Sequence, residues 1–304
     1  MADDIPFDRN FDVPAGRVDR VAPLIRRVVA PNPGPFTFTG TCTYIVGEGE
    51  VAIIDPGPDL PEHIEAVLKA VEGERVSHIL VTHTHRDHSP AVPAIQAATG
   101  AMTYGEGPHR AARPLQIDEK TRLDASADMD FAPDIRVRDG ETIEGKDFAF
   151  EAVLTPGHTM NHAAYALRGA DTLFAGDHVM AWSTSIVAPP DGEMHAYMNS
   201  LRKLKARNET TYYPGHGPAV RDAHAFLDRY IAHRDARETA ILRVLERGET
   251  DVPSLVRAIY IGLNPKLAGG AALMTFAQLE DLIARRKVVT DTPVPSLASR
   301  FRLT

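Results

Sequence analysis

The sequence predicts an α/β chain followed by a small, mostly helical C-terminal module. Two patterns carry this expectation. Before Gly217, short apolar and β-branched runs alternate with helix-period segments and turn-rich motifs. Beyond Gly217, helix periods dominate. A length of 304 residues accommodates one large and one small domain, and the change of pattern places them at 1–222 and 223–304.

Residues 1–31 read as an extension in which Leu24 to Ala30 form an early strand after Pro23. Asn32 to Thr41 is a loop rich in Pro, Gly and Phe, suited to wall a site with Phe36 and Phe38, and it leads into the strand-like run Thr41-Cys42-Thr43-Tyr44-Ile45-Val46. Val51–Ile54 and His78–Val81 read as strands with a helix from Leu60 to Val71 between them. Ser89-Pro90 reads as the cap and first residue of a helix over Ala91 to Ala98, because a hydroxyl followed by proline is a common helix start. Asp124 to Asp139 is polar and irregular. Phe148–Leu154, Ala163–Leu167 and Thr172–Phe174 form a second group of strands, and Met194 to Ala206 a helix.

In the C-terminal module, helix-period residues run from about Ala223 to Glu246 and break at Gly248. A short helix spans Val252 to Ile261, capped by Thr250 or Asp251. Asn264-Pro265 breaks it, and a third helix runs from Leu267 to Arg286. Lys287–Thr290 and Phe301–Leu303 read as short strands. Three helices followed by strands suggest a winged-helix-like module.

The densest chemistry lies in Thr82-His83-Thr84-His85-Arg86-Asp87-His88, an H-x-H-x-D-H pattern. Neutral imidazole and carboxylate are natural ligands for zinc and similar ions. In extended or turning backbone after a strand, alternate side chains point the same way. His83 and His85 can then reach one ion while Asp87 and His88 reach a second. Three later motifs repeat one design: Leu154-Thr155-Pro156-Gly157-His158-Thr159, Leu173-Phe174-Ala175-Gly176-Asp177-His178 and Tyr212-Tyr213-Pro214-Gly215-His216-Gly217. Each is an apolar stretch, then Gly beside His or Asp, the way a strand end presents a ligand from a loop.

On these motifs the chain resembles the metallo-β-lactamase-fold hydrolases from about Asn32 to Gly217. The resemblance implies an αββα sandwich with the site at one edge of two packed sheets. It implies His83, His85 and His158 at a first metal, Asp87, His88 and His216 at a second, and Asp177 bridging both. Two zinc ions are the expected cofactors; iron or manganese also suits His and carboxylate ligands. Coordination lowers the pKa of water from about 15.7 toward ~7, so a metal-bridging hydroxide is the expected nucleophile. Asp55, ending the run Val51-Ala52-Ile53-Ile54-Asp55-Pro56-Gly57, is expected to accept the free ring N–H of a ligand histidine and to stabilise its own turn. Asp87, His178 and His162 are the candidate catalytic residues beside the ligands.

A narrower resemblance, to the lactamase-β-2-like branch with its winged-helix-like C-terminal domain, rests on three runs. They are Trp182-Ser183-Thr184-Ser185-Ile186-Val187-Ala188-Pro189-Pro190-Asp191-Gly192, Tyr213-Pro214-Gly215-His216-Gly217-Pro218, and His233-Arg234-x-x-Arg237-Glu238. The branch includes a single-strand-preferring endoribonuclease, which makes an RNA phosphodiester the leading substrate class. This chain departs from the branch's Gly-Thr-Asn-Thr-Tyr run, reading Gly40-Thr41-Cys42-Thr43-Tyr44. The alternative is a glyoxalase-II-like acyl hydrolase of thioesters, lactones or esters, with weak β-lactam turnover as a side activity. A pocket of Phe36, Phe38, Trp182 and Met194 would suit it. The complete ligand set argues against a non-catalytic binding module.

Charge tests the RNA reading. The chain has a net charge of −8, and residues 223–304 hold 12 Lys+Arg against 9 Asp+Glu, so the preceding residues carry the whole acidic excess. Phosphate binding needs a concentrated basic surface. The one dense basic run, Arg285-Arg286-Lys287, reads as the cationic end of a helix. A small-molecule or weakly held RNA substrate is expected, without a stable nucleic-acid complex. No apolar run approaches the ~20 residues of a membrane span. The acidic start Met1-Ala2-Asp3-Asp4-Ile5-Pro6 lacks a signal pattern, and the lone Cys42 excludes an internal disulfide. A cytoplasmic location is therefore expected, and the C-terminal helices could support a homodimer.

Overall fold

The computed structural model describes residues 5–116, 119 and 126–304. The acidic start at 1–4 and the first two residues of the irregular stretch 124–139 lie outside the described residues.

Two sheets pack face to face. The first runs β1 (Val18–Ala22), β2 (Ile25–Val29), β3 (Cys42–Glu48), β4 (Glu50–Ile54), β5 (Arg75–Leu80), β6 (Met102–Gly105) and β7 (Ile135–Arg136), in that spatial order. Its first four strands pair antiparallel. From β4 onward the pairing is parallel, and α1 (Pro61–Ala70) and α2 (Val92–Thr99) carry the chain back between β4, β5 and β6. The second sheet has the order β12 (Thr211–Pro214), β11 (Thr172–Gly176), β10 (Ala163–Leu167), β9 (Ala149–Leu154), β8 (Thr142–Glu144). Helix α3 (Met194–Lys205) connects β11 to its parallel neighbour β12.

Three apolar layers hold this body together. Between the sheets, Tyr44, Phe150, Tyr165, Phe174 and Tyr213 form an aromatic seam with Ile25, Val46 and Ile54. Ring centroids of Tyr44 and Phe174 stand 5.2 Å apart, and those of Phe174 and Tyr213 5.8 Å. Such pairs contribute ~0.5–1.5 kcal/mol each beyond their buried area. The outer face of the first sheet packs Ile45, Ile53 and Ile79 on α1 and α2 through Val67 and Ile95. The outer face of the second packs Ala164, Leu173 and Tyr212 on α3 through Tyr197 and Leu201, and on α4 (Ala223–Leu245) through Phe226, Leu227 and Tyr230. Strands buried on both faces are why β4 and β10 read as nearly continuous apolar runs.

The C-terminal segment builds its own core. Ile241 and Leu245 from the far end of α4 meet Leu255 of α5 (Val252–Ile259), Phe276, Leu279 and Leu282 of α6 (Ala268–Ala284), and Phe301. A three-stranded antiparallel sheet, β13 (Thr250–Asp251), β15 (Arg300–Leu303) and β14 (Val288–Thr290), completes it. Asp251 caps α5 by accepting from Ser254 N.

Two expectations change. Helix α2 starts at Val92 with no side-chain cap at Ala91, and the Ser89 hydroxyl donates instead to Asp128 Oδ2 at 2.6 Å. Strands β1, β6, β7 and β8 also appear where the sequence offered no strand signal. They are two to five residues long and mostly half exposed, too short for a clear alternation.

Candidate metal centre

Four strand ends on one edge of the sandwich supply the polar cluster. His83 to His88 follow β5; His158 follows β9; Asp177 follows β11; His216 follows β12. The edges are tied by backbone hydrogen bonds, Ala163 N to Thr82 O at 2.7 Å, Gly215 N to Gly176 O at 2.9 Å and Cys42 N to Gly215 O at 2.7 Å. Two motif glycines are dictated by crowding. A Cβ on Gly215 would lie 2.4 Å from Asp177 Oδ1 and 2.6 Å from His88 Cε1. Gly176 has φ +49°, and a Cβ there would lie 2.6 Å from His162 Nε2.

The seven residues read as ligands from the sequence all converge. Potential ligand atoms group within 4.8 Å as His83/His85/His158, as His83/His88/Asp177 and as Asp87/His88/His216. In the first group, His85 Nδ1 lies 3.1 Å from both His83 Nε2 and His158 Nε2. In the last, Asp87 Oδ2 lies 3.2 Å from His216 Nε2 and 3.3 Å from His88 Nε2. Asp177 stands between them: Oδ2 is 3.2 Å from His216 Nε2 and 3.8 Å from His158 Nε2, and Oδ1 is 3.5 Å from His88 Nε2.

These spacings fit divalent cations. Two imidazole nitrogens on one tetrahedral ion, with bonds of ~2.0–2.1 Å, sit ~3.3 Å apart. His88 Nε2 and Asp177 Oδ1 are buried without a hydrogen-bond partner among the described residues, which is costly unless something else satisfies them.

The outward ring nitrogens are each held. His83 Nδ1 meets Thr82 Oγ1 at 3.0 Å, His85 Nε2 meets Asp191 Oδ2 at 3.0 Å, and His158 Nδ1 meets the Ile186 carbonyl at 2.6 Å. His88 Nδ1 meets Asp55 Oδ2 at 2.9 Å, and His216 Nδ1 meets the Gly40 carbonyl at 3.3 Å. Asp55 thus occupies the position expected of it, and it also accepts from Thr82 N and Oγ1 at 2.7 Å each. Outer contacts of this kind fix the ring orientation and leave the inner nitrogen free to ligate.

Protonation differs across the cluster. Burial pushes His83 well below the usual imidazole range, with His88 and His85 adding repulsion. Burial and the neighbouring His85 bring His158 to about 4. On the other side, Asp87 and Asp177 overcome the burial penalty and raise His88 well above its usual value, and Asp177 and Asp87 bring His216 to about 9. Against their own burial, Asp87 is held well below the carboxylate range chiefly by His88, and Asp177 by His216 and His88.

Of the three residues read as catalytic, Asp87 is the one that reaches solvent, with its side chain 23% exposed and its Oδ2 accepting from Thr41 Oγ1 at 3.0 Å. His162 is fully buried, stacked behind His83 at 5.2 Å, with Nδ1 2.8 Å from Thr155 Oγ1. His178 is also fully buried, against the Tyr197 ring at 4.4 Å, and burial brings it to about 3.

Sequence reasoning assigned no site role to Asp191, His109, Thr41 or Asn161. Asp191 joins His85 to Ser126 Oγ at 3.0 Å and to His109 Nε2 at 3.4 Å. His109 Nδ1 and Asn161 Nδ2 both meet Thr84 Oγ1, at 2.9 and 2.8 Å. The available signal was the Pro189-Pro190-Asp191-Gly192 run, which carries no ligand spacing of its own.

An aromatic face flanks the cluster. Phe38 stacks on Trp182 at 4.8 Å, and both rings lie against Gly217, the neighbour of His216. Phe36 is 55% exposed; it and Ile186 adjoin Gly270 near the start of α6. Met194, expected on this wall, is instead buried in the layer between the second sheet and its helices.

Among known proteins, residues 36–216 match the family model for the metallo-beta-lactamase superfamily. The lactamase-like protein adaB of Aspergillus niger is 30% identical over 288 residues, covering 89% of this chain and 84% of the relative. An atrochrysone carboxyl ACP thioesterase of Cryptosporiopsis sp. is 30% identical over 237 residues, covering 77% of this chain and 66% of the relative. A beta-lactamase domain protein of Burkholderia ambifaria superposes with a TM-score of 0.79 at 19% identity, covering 98% of this chain and 97% of that one, so the fold is shared over nearly the whole length. With the αββα sandwich and the His/Asp cluster at its edge, these matches make the chain a member of the metallo-beta-lactamase superfamily of metal-dependent hydrolases.

Proposed function

We propose that the chain is a binuclear zinc hydrolase of acyl substrates, cleaving a thioester, ester or lactone. The observation that carries the substrate class is the stacked pair of Phe38 and Trp182 against Gly217, the neighbour of His216. Apolar walls with a few converging polar groups suit an acyl chain better than a polyanion. The 30% identical relative named as a thioesterase supports the same reading.

His83, His85 and His158 would hold one ion and Asp87, His88 and His216 the other, with Asp177 between them. When bound, the two ions supply Lewis acidity and a water activated near neutral pH. Asp87, half-buried and accepting from Thr41 Oγ1, is placed where it would orient that water. His162, one ring deeper, backs His83, and His178 lies behind His162 against Tyr197; both are buried away from substrate. The Phe38 and Trp182 face would exclude solvent from the acyl group.

The phosphodiester reading draws on the same two-metal arrangement, which can stabilise both attacking and leaving oxygens. The acidic balance of residues 1–222 supports it less. We take residues 223–304 as a winged-helix-like module, with a homodimer and a cytoplasmic location as further parts of the proposal. Among the described residues no helix is long and apolar enough to cross a membrane.

A parallel turnover assay tests the function. Zinc-loaded protein is compared on a thioester, a lactone, a simple phosphodiester, single-stranded RNA and a β-lactam, with chelator controls. Chelator-sensitive preference for the thioester or lactone is expected; RNA cleavage well above the rest would overturn the acyl assignment.

A further inference from the structure

The loop from Asp177 to Val187 carries two contacts the site depends on: the Asp177 carboxylate at its start and, near its end, the Ile186 carbonyl that holds His158. It lies between β11 and α3, outside any helix or strand. Something other than regular secondary structure must fix it.

The fastening comes from behind, from α3 and α4. Ser185 Oγ donates to the carbonyls of Asp177 and His178, at 2.5 and 2.9 Å. Ser185 N donates to Tyr230 Oη at 3.0 Å, and Tyr197 Oη donates to the His178 carbonyl at 2.8 Å. The Ser185 carbonyl accepts from Arg234 Nη2 at 2.5 Å. Arg234 is 2% exposed, and among the described residues no carboxylate forms a salt bridge with it. Its guanidinium lies over the Tyr197 ring at 5.2 Å, and its Nη1 lies 3.6 Å from Met274 Sδ, which also accepts from Val187 N at 3.1 Å. Nε has no partner. Burying a cation without a counter-ion is unfavourable for folding, so this arginine does not exist for stability alone.

We propose that Arg234, acting through Ser185, is a positioning residue for the metal centre: it locks the loop that sets Asp177 between the two ligand groups and fixes the acceptor for His158. The proposal rests on the metal-site reading above and deepens it by placing part of the control of that site on α4. A buried guanidinium gives a carbonyl a charge-assisted bond in a rigid, planar geometry. The two backbone carbonyls under Ser185 Oγ then have one position available. The His233-Arg234-x-x-Arg237-Glu238 run, which the ligand pattern leaves without a role, acquires one at Arg234.

The test compares wild type with Arg234→Met, Arg234→Lys, Ser185→Ala and, as a control, Arg229→Ala, which alters an exposed residue of the same helix. Metal affinity is read by zinc–chelator competition, the ligand field by the visible spectrum of the cobalt-loaded protein, and folding by circular dichroism and thermal melting. Arg234→Met keeps the bulk over Tyr197 but lacks the donor. It is expected to hold its weaker metal about 10–100-fold less tightly, with a shifted cobalt spectrum, while remaining folded. Arg234→Lys recovers most of the loss, Ser185→Ala moves the same way by less, and Arg229→Ala matches wild type. Wild-type affinity and spectrum in folded Arg234→Met overturn the proposal. If that variant melts below the assay temperature, Ser185→Ala decides: wild-type metal affinity there overturns it equally. The underlying reading fails separately, on the wild-type protein, if zinc titration shows no tight binding.

Discussion

The two ends of the polar cluster are built from similar residues and behave oppositely toward protons. At one end, His83, His85 and His158 form an all-imidazole group, and within it burial and repulsion from neighbouring rings favour the neutral forms of His83 and His158. At the other, His88 and His216 face Asp87 and Asp177 and are held in their charged form. His83 and His158 are already in the state a cation needs; His88 and His216 must release protons before they can ligate. Burial alone does not decide which histidine is a ready ligand: His83 and His88 are both buried, and the carboxylates facing His88 make the difference.

Asp177 is the residue both ends share, so its loss breaks the comparison most severely. Asp177→Ala is expected to lose most metal at one site and to reduce turnover by about 10³-fold or more, measured by metal content per chain alongside steady-state rates. Near-normal turnover would remove Asp177 from its bridging place. His158→Ala should act similarly on metal content, confined to the imidazole end.

A finer contrast lies in the outer carboxylates. Asp191 supports His85 of the imidazole end, and Asp55 supports His88 of the carboxylate end. Asp191→Asn and Asp55→Asn are each expected to weaken metal binding about 10–100-fold, each at its own end. Equal loss of both ions in both variants would show that the ends are not separable.

The pH dependence of chelator-stripped protein sharpens the contrast further. His216, raised to about 9, contributes stability that is complete below about 6.5 and is lost as pH climbs through 9. His158, lowered to about 4, does the reverse: its buried neutral ring costs stability as pH falls from about 6.5 toward 4. Melting temperature should therefore peak near about pH 6.5, between the two limbs. His216→Gln is expected to flatten the alkaline limb and His158→Gln the acid limb; a limb that survives its substitution belongs to other groups. The smallest effect is expected at Cys42→Ser. The thiol is buried 3.9 Å from the Gly217 carbonyl and touches no ligand atom, so turnover should stay within a few-fold.

Much of this was legible in the sequence because the ligands obey strand-end spacing. The H-x-H-x-D-H run and three Gly-His or Gly-Asp motifs pointed to all seven converging residues, and Asp55 was placed by its position after an apolar run. The supporting groups were not legible. Asp191 reaches His85 across 106 residues, His109 reaches Thr84 across 25, and Arg234 reaches Ser185 across 49, so no local period announces any of them. The Ser89 cap failed for a related reason: the hydroxyl is turned to donate to Asp128, distant in sequence, and no side-chain oxygen accepts from the free amides at the start of α2. Short edge strands such as β7 escaped because two residues carry no alternation to read.

Helix α4 has a consequence for the order of events at the ribosome. It is 23 residues, about 34 Å, long. Its first turns cover the outer face of the second sheet, and its last turns belong to the C-terminal core. A nascent chain that has emerged only to residue 222 holds all seven residues of the polar cluster, yet Leu173 and Tyr212 have only α3 over them, and the loop at Ser185 still lacks Tyr230 and Arg234. The catalytic edge can therefore take its final form only after the helix beyond it has left the exit tunnel, and a chain prematurely terminated near that point presents a wet aromatic surface to chaperones instead of a working site.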